Sequence, residues 1–223
     1  MQSALLVFLL WLTAEALLSN FLKVCEMVKL GIFGTSGHAR DIASIFQANK
    51  TVGVVTFIDQ ENEFEMVKKL RKKGFVFIIG VGDNRLRKKI AMRYTDLIWE
   101  NVISTSAHIS SDVRIGQGVF IGHGAYLSTN IQISDHVIIH CSSVIGHETV
   151  LEDFSQAAPG CCIGGGGVLV KEGVLLGANT TIINKPIEIG AWSMISLGSI
   201  ITESVPSGVL YQALHKKITL KID

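Results

Sequence analysis

Two short stretches of the chain combine residue types that can do chemistry. One is the pair His147 and Glu148, an imidazole beside a carboxylate within the Val-, Ile- and Ser-rich segment HCSSVIGHETVLED. A neutral imidazole can accept a proton, and an adjacent carboxylate can orient the ring and support its basicity. The pair therefore fits a general base, provided that it faces away from the core.

The other stretch is GTSGH, which lies between the strand-like run VKLGIF and the helix-like run IASIFQAN. Gly31, Gly34 and Gly37 lie where the strand closes and the helix opens. Backbone N–H groups at such a turn can face an anionic diphosphate, assisted by the helix dipole. A plain tight turn would also account for the glycines, and their spacing is not the GxGxxG of NAD sites.

Strand-like and helix-like patterns alternate from residue 28 to about residue 100. The runs VKLGIF, TVGVVTFID and FVFIIGVG predict strands, and the segments between and after them show helical spacing of apolar residues. This alternation predicts a small parallel βαβ sheet. The basic run Lys68 to Lys73 is interpreted as a solvated helix face.

A six-residue repeat begins near residue 107. Nine of its ten first positions are Ile or Leu: Ile109, Ile115, Ile121, Leu127, Ile133, Ile139, Ile145, Leu151, Ala157 and Ile163. Fifth positions, from Val113 to Gly167, are small or β-branched. This period predicts short strands separated by sharp bends, with first and fifth side chains inward. After Ile163 the register shifts by two residues, through two single insertions or one double insertion. His147 is a third position, so its side chain is expected to point outward, with Glu148 at the bend.

Composition excludes some classes of function. The 223 residues carry a net charge of +1, which favours neither nucleic acid nor an acidic partner. Four cysteines without a CxxC spacing suit reduced thiols in the cytoplasm. The apolar residues 1–26 have three possible explanations: an upstream start-site artefact with Met27 as the true start, a short helix lying on a membrane or on the protein, or a signal or anchor.

Together, GIFGTSGHARDI, the hexad repeat and SSVIGHETVLEDFS resemble the bacterial sugar O-acyltransferase (sialic acid O-acetyltransferase) family. This family includes the UDP-4-amino-sugar N-acetyltransferases of the bacillosamine type and belongs to the hexapeptide-repeat acyltransferase superfamily. The resemblance implies a Rossmann-like nucleotide-sugar domain over residues 27–104. It implies a left-handed parallel β-helix over residues 105–223, after the extension 1–26. It further implies a cytoplasmic homotrimer, with acetyl-CoA and a nucleotide-sugar as partners and no metal.

By the same resemblance, His147 is the base and Glu148 its modulator. Substrate-binding residues are Ser36, Gly37, His38, Asp59 and Gly82. Donor-binding residues are Gln156, Gly177, Ala178, Leu197 and Gly198. Gln156 stands where the bacillosamine enzymes have His, and a Gln side chain can donate or accept a hydrogen bond but cannot carry a proton.

The first expectation for function is N-acetylation of a nucleotide-linked amino-sugar, a UDP-4-amino-sugar, in surface glycan biosynthesis. O-acetylation of sialic acid or a related sugar is the alternative, and a non-catalytic sugar-binding scaffold is the alternative of another class. A γ-carbonic-anhydrase-type metal site would need one cluster from His123, His136, His140 and His147, which occupy different hexad positions. A cysteine nucleophile is disfavoured because Cys161 is expected inside and Cys141 has no flanking base.

Overall fold

The N-terminal domain is a three-stranded parallel sheet with helices, as the alternating pattern predicts. The structure, a computed structural model, describes residues 28–49 and 53–212. The strands are β1 (Val28–Phe33), β2 (Gly53–Ile58) and β3 (Val76–Ile79), in the order β2-β1-β3. The helices are α1 (Gly37–Asn49), α2 (Glu63–Lys72) and α3 (Asn84–Arg93). Because all three strands are parallel, the residues that follow them meet at one edge of the sheet.

The C-terminal domain is a left-handed parallel β-helix of about six coils, which confirms the fold class expected from the repeat. Each strand is two residues long, and each coil contributes one strand to each of three faces. We call the first the docked face, because the N-terminal domain packs on it. Its strands are β4 (Val102–Ile103), β7 (Phe120–Ile121), β10 (Ile138–Ile139), β13 (Gln156–Ala157), β16 (Leu175–Leu176), β19 (Met194–Ile195) and β21 (Leu210–Tyr211).

The other two faces are named from their outward side chains. The apolar face consists of β5 (His108–Ile109), β8 (Tyr126–Leu127), β11 (Val144–Ile145), β14 (Cys162–Ile163), β17 (Thr181–Ile182) and β20 (Ile200–Ile201). The polar face consists of β6 (Arg114–Ile115), β9 (Gln132–Ile133), β12 (Val150–Leu151), β15 (Leu169–Val170) and β18 (Glu188–Ile189). The corners between faces are the docked–apolar, apolar–polar and polar–docked corners.

The inside of the prism is filled as the hexads predict. First-position residues from Ile121 to Ile163 are buried, and so are fifth-position residues from Val119 to Cys161. Parallel stacking of identical positions builds one continuous apolar core along the axis, which stabilises short strands that could not stand alone. Cys161 is completely buried, and burial raises the pKa of its thiol to about 11. It is therefore a core residue.

The register shift comes from two single insertions at the same corner. Gln132 pairs with Val150, but Val150 pairs with Leu169, so one residue has been added between Ile163 and Leu169. Gly167, which the hexad count places inward, is exposed, and Val168 fills the buried place instead. The second insertion lies one coil later, where Leu169 pairs with Glu188. Both insertions widen the apolar–polar corner.

A buried arginine fixes the N-terminal domain to the β-helix. Arg87 of α3 is 1% exposed. Its guanidinium donates to the carbonyl oxygens of Val81, His136 and Phe154 and to the side-chain oxygen of Asn84. Burial lowers the pKa of Arg87 to about 9, with Asp83 acting in the opposite direction. The two hydrogen bonds that Arg87 donates to the β-helix are accepted by backbone carbonyl oxygens and not by a carboxylate.

None of the helices within residues 28–49 and 53–212 has the length and apolar character needed to span a membrane. The expectations for residues 1–26 fall outside the described residues.

Candidate active site

His147 and Glu148 lie at the apolar–polar corner with their side chains in solvent. The His147 side chain is 47% exposed, and its Nδ1 lies 3.5 Å from Oε2 of Glu148. This distance permits an ion pair but is longer than a well-formed hydrogen bond. Glu148 occupies the left-handed backbone region (φ 60°), which turns the chain from the apolar face to the polar face. The sequence therefore places this pair correctly outside the prism.

Neighbouring coils hold the backbone of this corner. The N–H of Glu148 donates to the carbonyl of Thr129 one coil earlier, and the carbonyl of His147 accepts from the N–H of Gly166 one coil later. Thr149 donates through Oγ1 to the carbonyl of Gly146. The imidazole thus stands on a fixed backbone while its ring remains accessible, as a base that receives a substrate proton requires.

The residues predicted to bind the nucleotide-sugar lie along the carboxyl edge of the parallel sheet. Ser36, Gly37 and Gly82 are exposed there, and Asp59 directly follows β2. Asp59 also accepts a hydrogen bond from the N–H of Asn62, so part of its carboxylate is committed to the local turn. This edge, with the amino terminus of α1 beside Ser36 and Gly37, is the usual ligand position of an open parallel sheet.

Gly34 shapes the turn that precedes α1. Its φ of +98° is a conformation that favours glycine, and an added Cβ would lie 3.2 Å from the carbonyl oxygen of Gly80. The loops after β1 and β3 can therefore approach one another closely. This close approach accounts for one glycine of GTSGH without invoking a ligand, whereas Gly37 has open space where a Cβ would be.

His38 points into the junction between the two domains. Its ring lies 4.9 Å from that of Phe120 and 5.1 Å from that of His140, both on the docked side of the β-helix. Both ring nitrogens of His38 are buried and lack a hydrogen-bond partner within the described residues. Burial, followed by the effects of His140 and Arg87, lowers the pKa of His38 to about 3. His38 is therefore a neutral imidazole in the free subunit.

A cavity of about 190 Å³ adjoins this junction. It is lined by Asp41, Ser44 and Ile45 of α1 and by Phe120, Gly122, His123, His140 and Cys141 of the β-helix. Burial lowers the pKa of His140, and nearby Asp41 acts in the opposite direction. Among the described residues that line this cavity, Asp41 is the one carboxylate. Sequence reasoning considered His123 and His140 only as metal ligands and did not identify this cavity.

The predicted donor-binding residues follow the docked–apolar corner. Gly177 and Ala178 form that corner in one coil, and Leu197 and Gly198 form it in the next. Gln156 lies on the docked face, where its Nε2 is 3.3 Å from Nε2 of His140 and its Oε1 is buried without a partner. These residues do not meet His147 within one subunit, because His147 lies at the other edge of the apolar face.

The described histidines are not grouped as the ligands of one metal ion. His123 bonds through Nδ1 to Oγ of Ser104, at 2.7 Å, and His136 stacks on Phe154. Within residues 28–49 and 53–212, no group of three or more His, Cys, Asp or Glu side chains is arranged to hold a metal ion.

A family model described as the PglD N-terminal domain matches residues 29–94. The fold of both domains is shared with GDP-perosamine N-acetyltransferase from Caulobacter crescentus, solved with CoA and GDP-perosamine. The two chains are 25% identical, with a TM-score of 0.76 over 82% of this chain and 93% of that chain. The chain therefore shares the two-domain fold of this sugar N-acetyltransferase.

Two further solved structures share the same two-domain fold at lower identity. The acetyltransferase domain of PglB from Neisseria gonorrhoeae, solved with acetyl coenzyme A, is 22% identical, with a TM-score of 0.77 over 83% of this chain and 97% of that chain. WeeI from Acinetobacter baumannii is also 22% identical, with a TM-score of 0.73 over 83% of this chain and 97% of that chain. These two likenesses establish the fold alone.

Proposed function

We propose that this acyltransferase moves an acetyl group from acetyl-CoA to the amino group of a nucleotide-linked amino-sugar, in the cytoplasm and for surface glycan biosynthesis. The observation that carries the proposal is the match of both domains to an enzyme solved with CoA and GDP-perosamine. The match covers 93% of that enzyme's chain. An exposed His147 beside Glu148 supplies the proton acceptor that such a transfer needs.

The apolar face supports a homotrimer. Tyr126, Val144 and Ile200 point outward from it, and they are 45%, 39% and 68% exposed. A row of exposed apolar side chains on a rigid sheet favours burial against another copy of the chain. When three β-helices pack around a threefold axis, the same contact between neighbouring subunits is repeated three times and buries the apolar face of each. This arrangement forms a closed ring.

The trimer also explains why the proposed base and the other predicted residues lie on opposite edges of the apolar face. In a closed ring, one edge of a face meets the opposite edge of the same face on the next subunit. The apolar–polar corner, with His147, would then lie against the neighbour's docked–apolar corner, with Gly177 and Gly198. The neighbour's cavity beside His38 opens on that same corner.

The proposed reaction is a direct transfer in a ternary complex. The amine lone pair attacks the thioester carbonyl carbon, the carbonyl π electrons move to oxygen, and His147 takes the proton that the amine loses. Backbone N–H groups of the corner turns stabilise the oxyanion. When the tetrahedral intermediate collapses, the C–S bond breaks and the CoA thiolate receives the proton from His147.

The diphosphate of the acceptor would lie at the carboxyl edge of the sheet. The amino terminus of α1 at Ser36 and Gly37 presents backbone N–H groups there. Asp59 and Gly82 follow the two flanking strands. Acetyl-CoA would run along the docked–apolar corner past Ala178 and Leu197. The amide of Gln156 would form a hydrogen bond with it without carrying a charge.

A thiol-release screen tests this function. The trimer is incubated with acetyl-CoA and, separately, with UDP- and GDP-linked 4-amino-sugars, the matching 4-hydroxy sugars, and free sialic acid. Release of CoA with an amino-sugar nucleotide, and not with its hydroxyl counterpart, is expected. Release only with sialic acid would establish the O-acetyltransferase alternative, and no release with any acceptor would leave a binding scaffold.

A further inference from the structure

One end of the N-terminal domain carries a cluster of exposed lysines. Lys68, Lys69, Lys72 and Lys73 are all exposed, and none forms an ion pair with a described residue. By contrast, Arg71 pairs with Asp96 and Arg93 pairs with Glu63. The chain as a whole has a net charge of only +1, so this concentration of positive charge is local.

Exposed apolar groups lie among these cations. A groove of about 610 Å³ between α2 and the end of α3 is lined by Phe64, Val67 and Tyr94, with Lys68, Arg71, Lys72 and Arg93 around it. Phe64 is 68% exposed. Arg71 and Asp96 also border a second hollow that contains Ile98, which is 69% exposed. We call this combined surface, from Phe64 to Ile98, the basic end.

Lys73 and Ile98 of the basic end lie at the amino edge of the parallel sheet, where the carbonyl of Lys73 accepts from Lys29 of β1 and the carbonyl of Ile98 accepts from the N–H of Phe77 of β3. Asn84, at the opposite edge, donates to the carbonyl of Gly173 several coils further on. Asn49, where α1 returns to the amino edge, donates to the carbonyl of Ile103 in the first coil. The amino edge therefore faces the end of the prism where the β-helix begins, away from the carboxyl edge that would bind nucleotide.

The chain enters β1 at this same edge. Val28 begins β1, and Lys29 donates through Nζ to the carbonyl of Lys73. The preceding residues 1–26 contain the apolar run SALLVFLLWL. A threefold axis parallel to the prism would turn three copies of the basic end in one direction.

We propose that the basic end is a docking surface for an anionic phospholipid membrane. Lysines would lie at the level of the lipid phosphates, and Phe64 and Ile98 would enter the boundary between headgroups and acyl chains. Membrane binding by either signal alone is weak, and a basic patch together with apolar groups makes it stable. Each lysine near an anionic surface strengthens binding about fivefold at low salt. The proposal does not depend on the acceptor or on the catalytic role of His147.

Vesicle flotation of the full chain tests the proposal. Binding is compared between vesicles of phosphatidylcholine alone and vesicles that also contain phosphatidylglycerol. The intact protein should float with the anionic vesicles, and added salt should weaken binding. The variant Lys68→Glu/Lys72→Glu should bind at least about tenfold less tightly. The matched variant Lys89→Glu/Lys185→Glu, which makes the same charge change at exposed sites away from the first coil, should float normally.

Three outcomes would overturn the proposal. The first is that the intact protein fails to float with anionic vesicles. The second is that both double variants lose binding equally. The third is that removal of residues 1–26 abolishes flotation while Lys68→Glu/Lys72→Glu has no effect, which would assign binding to that segment alone. Capture of soluble poly-glutamate without vesicle binding would instead identify an acidic protein partner. Thiol release by Lys68→Glu/Lys72→Glu should equal that of the intact protein, since neither lysine belongs to the proposed site.

Discussion

Gly165 lies directly against the backbone of His147. A Cβ added to Gly165 would lie 2.7 Å from both the backbone nitrogen and the carbonyl oxygen of His147, and the φ of Gly165 is +92°. Gly165 belongs to the first inserted corner, which stacks on the corner of the proposed base. The backbone position of the proposed base therefore depends on the inserted corner.

Replacing Gly165 with Ala should displace His147. The methyl group cannot be accommodated without movement of the backbone, and such displacement of a base typically costs on the order of tenfold to a hundredfold in turnover. Gly208→Ala is the matched control, because Gly208 also has a positive φ but open space at its Cβ. Equal thiol-release rates for the two variants, with both folded, would contradict this dependence.

Arg87 should be the residue on which attachment of the N-terminal domain depends most. Arg87→Leu leaves the carbonyl oxygens of His136 and Phe154 buried without their donor. Unpaired buried acceptors predict a loss of about 2–4 kcal/mol in the free energy of unfolding. Arg85→Leu, two residues away at an exposed site over the ring of Trp192, should cost less than about 1 kcal/mol. Denaturant titration of both variants measures the difference.

Acid should unfold the protein at a higher pH than the titration of its carboxylates alone would predict. Burial lowers the pKa of His38 to about 3 and that of His136 to about 4, from an ordinary value of 6.5. Between about pH 6.5 and pH 4 the unfolded chain therefore binds more protons at these sites than the folded chain does. The free energy of unfolding should fall as the pH decreases through this range, by up to about 2.7 kcal/mol per pH unit for the two groups.

His136→Asn isolates one of these groups. Asn tolerates the positive φ of residue 136, and it removes one titrating ring. The slope of unfolding free energy against pH should become shallower by up to about 1.4 kcal/mol per pH unit. A slope identical to that of the original protein, measured by denaturant titration at several pH values, would show that His136 does not contribute.

Ile200 should be required for assembly. Ile200→Glu places a carboxylate on the apolar face, where a closed trimer would bury it without a partner. Sedimentation should show smaller species, and thiol release should fall with them because the site needs two subunits. Gln132→Glu introduces a carboxylate on the polar face and should leave both unchanged. A fully active monomer of Ile200→Glu would refute the shared site.

The repeat made the β-helix predictable because each hexad specifies its own inward and outward places. It also gave the outward direction of His147, since a third position cannot face the core. The position of the first insertion was not predictable, because four consecutive glycines carry no side chain that marks which one is added. The hexad count therefore predicts Gly167 at the inward position, whereas the structure has Val168 there.

The junction between domains could not be read from the repeat or the strands. Arg87 occupies a buried stripe of α3 with Asn84, Ile90 and Ala91, at helical spacing that a closer inspection of the pattern could have shown. Its partners on the β-helix are backbone oxygens, which have no signature in a sequence. The same holds for the cavity between α1 and His140, since its two walls lie far apart in the chain.

The most direct test of the account is the rate of CoA release by His147→Ala with the amino-sugar nucleotide that the intact enzyme accepts. The side chain is exposed, so the variant should fold and assemble normally, while turnover falls at least about a hundredfold. Cys141→Ser should retain the original rate, because no thiol nucleophile is needed. A His147→Ala trimer that releases CoA at nearly the original rate would contradict the proposed role of His147.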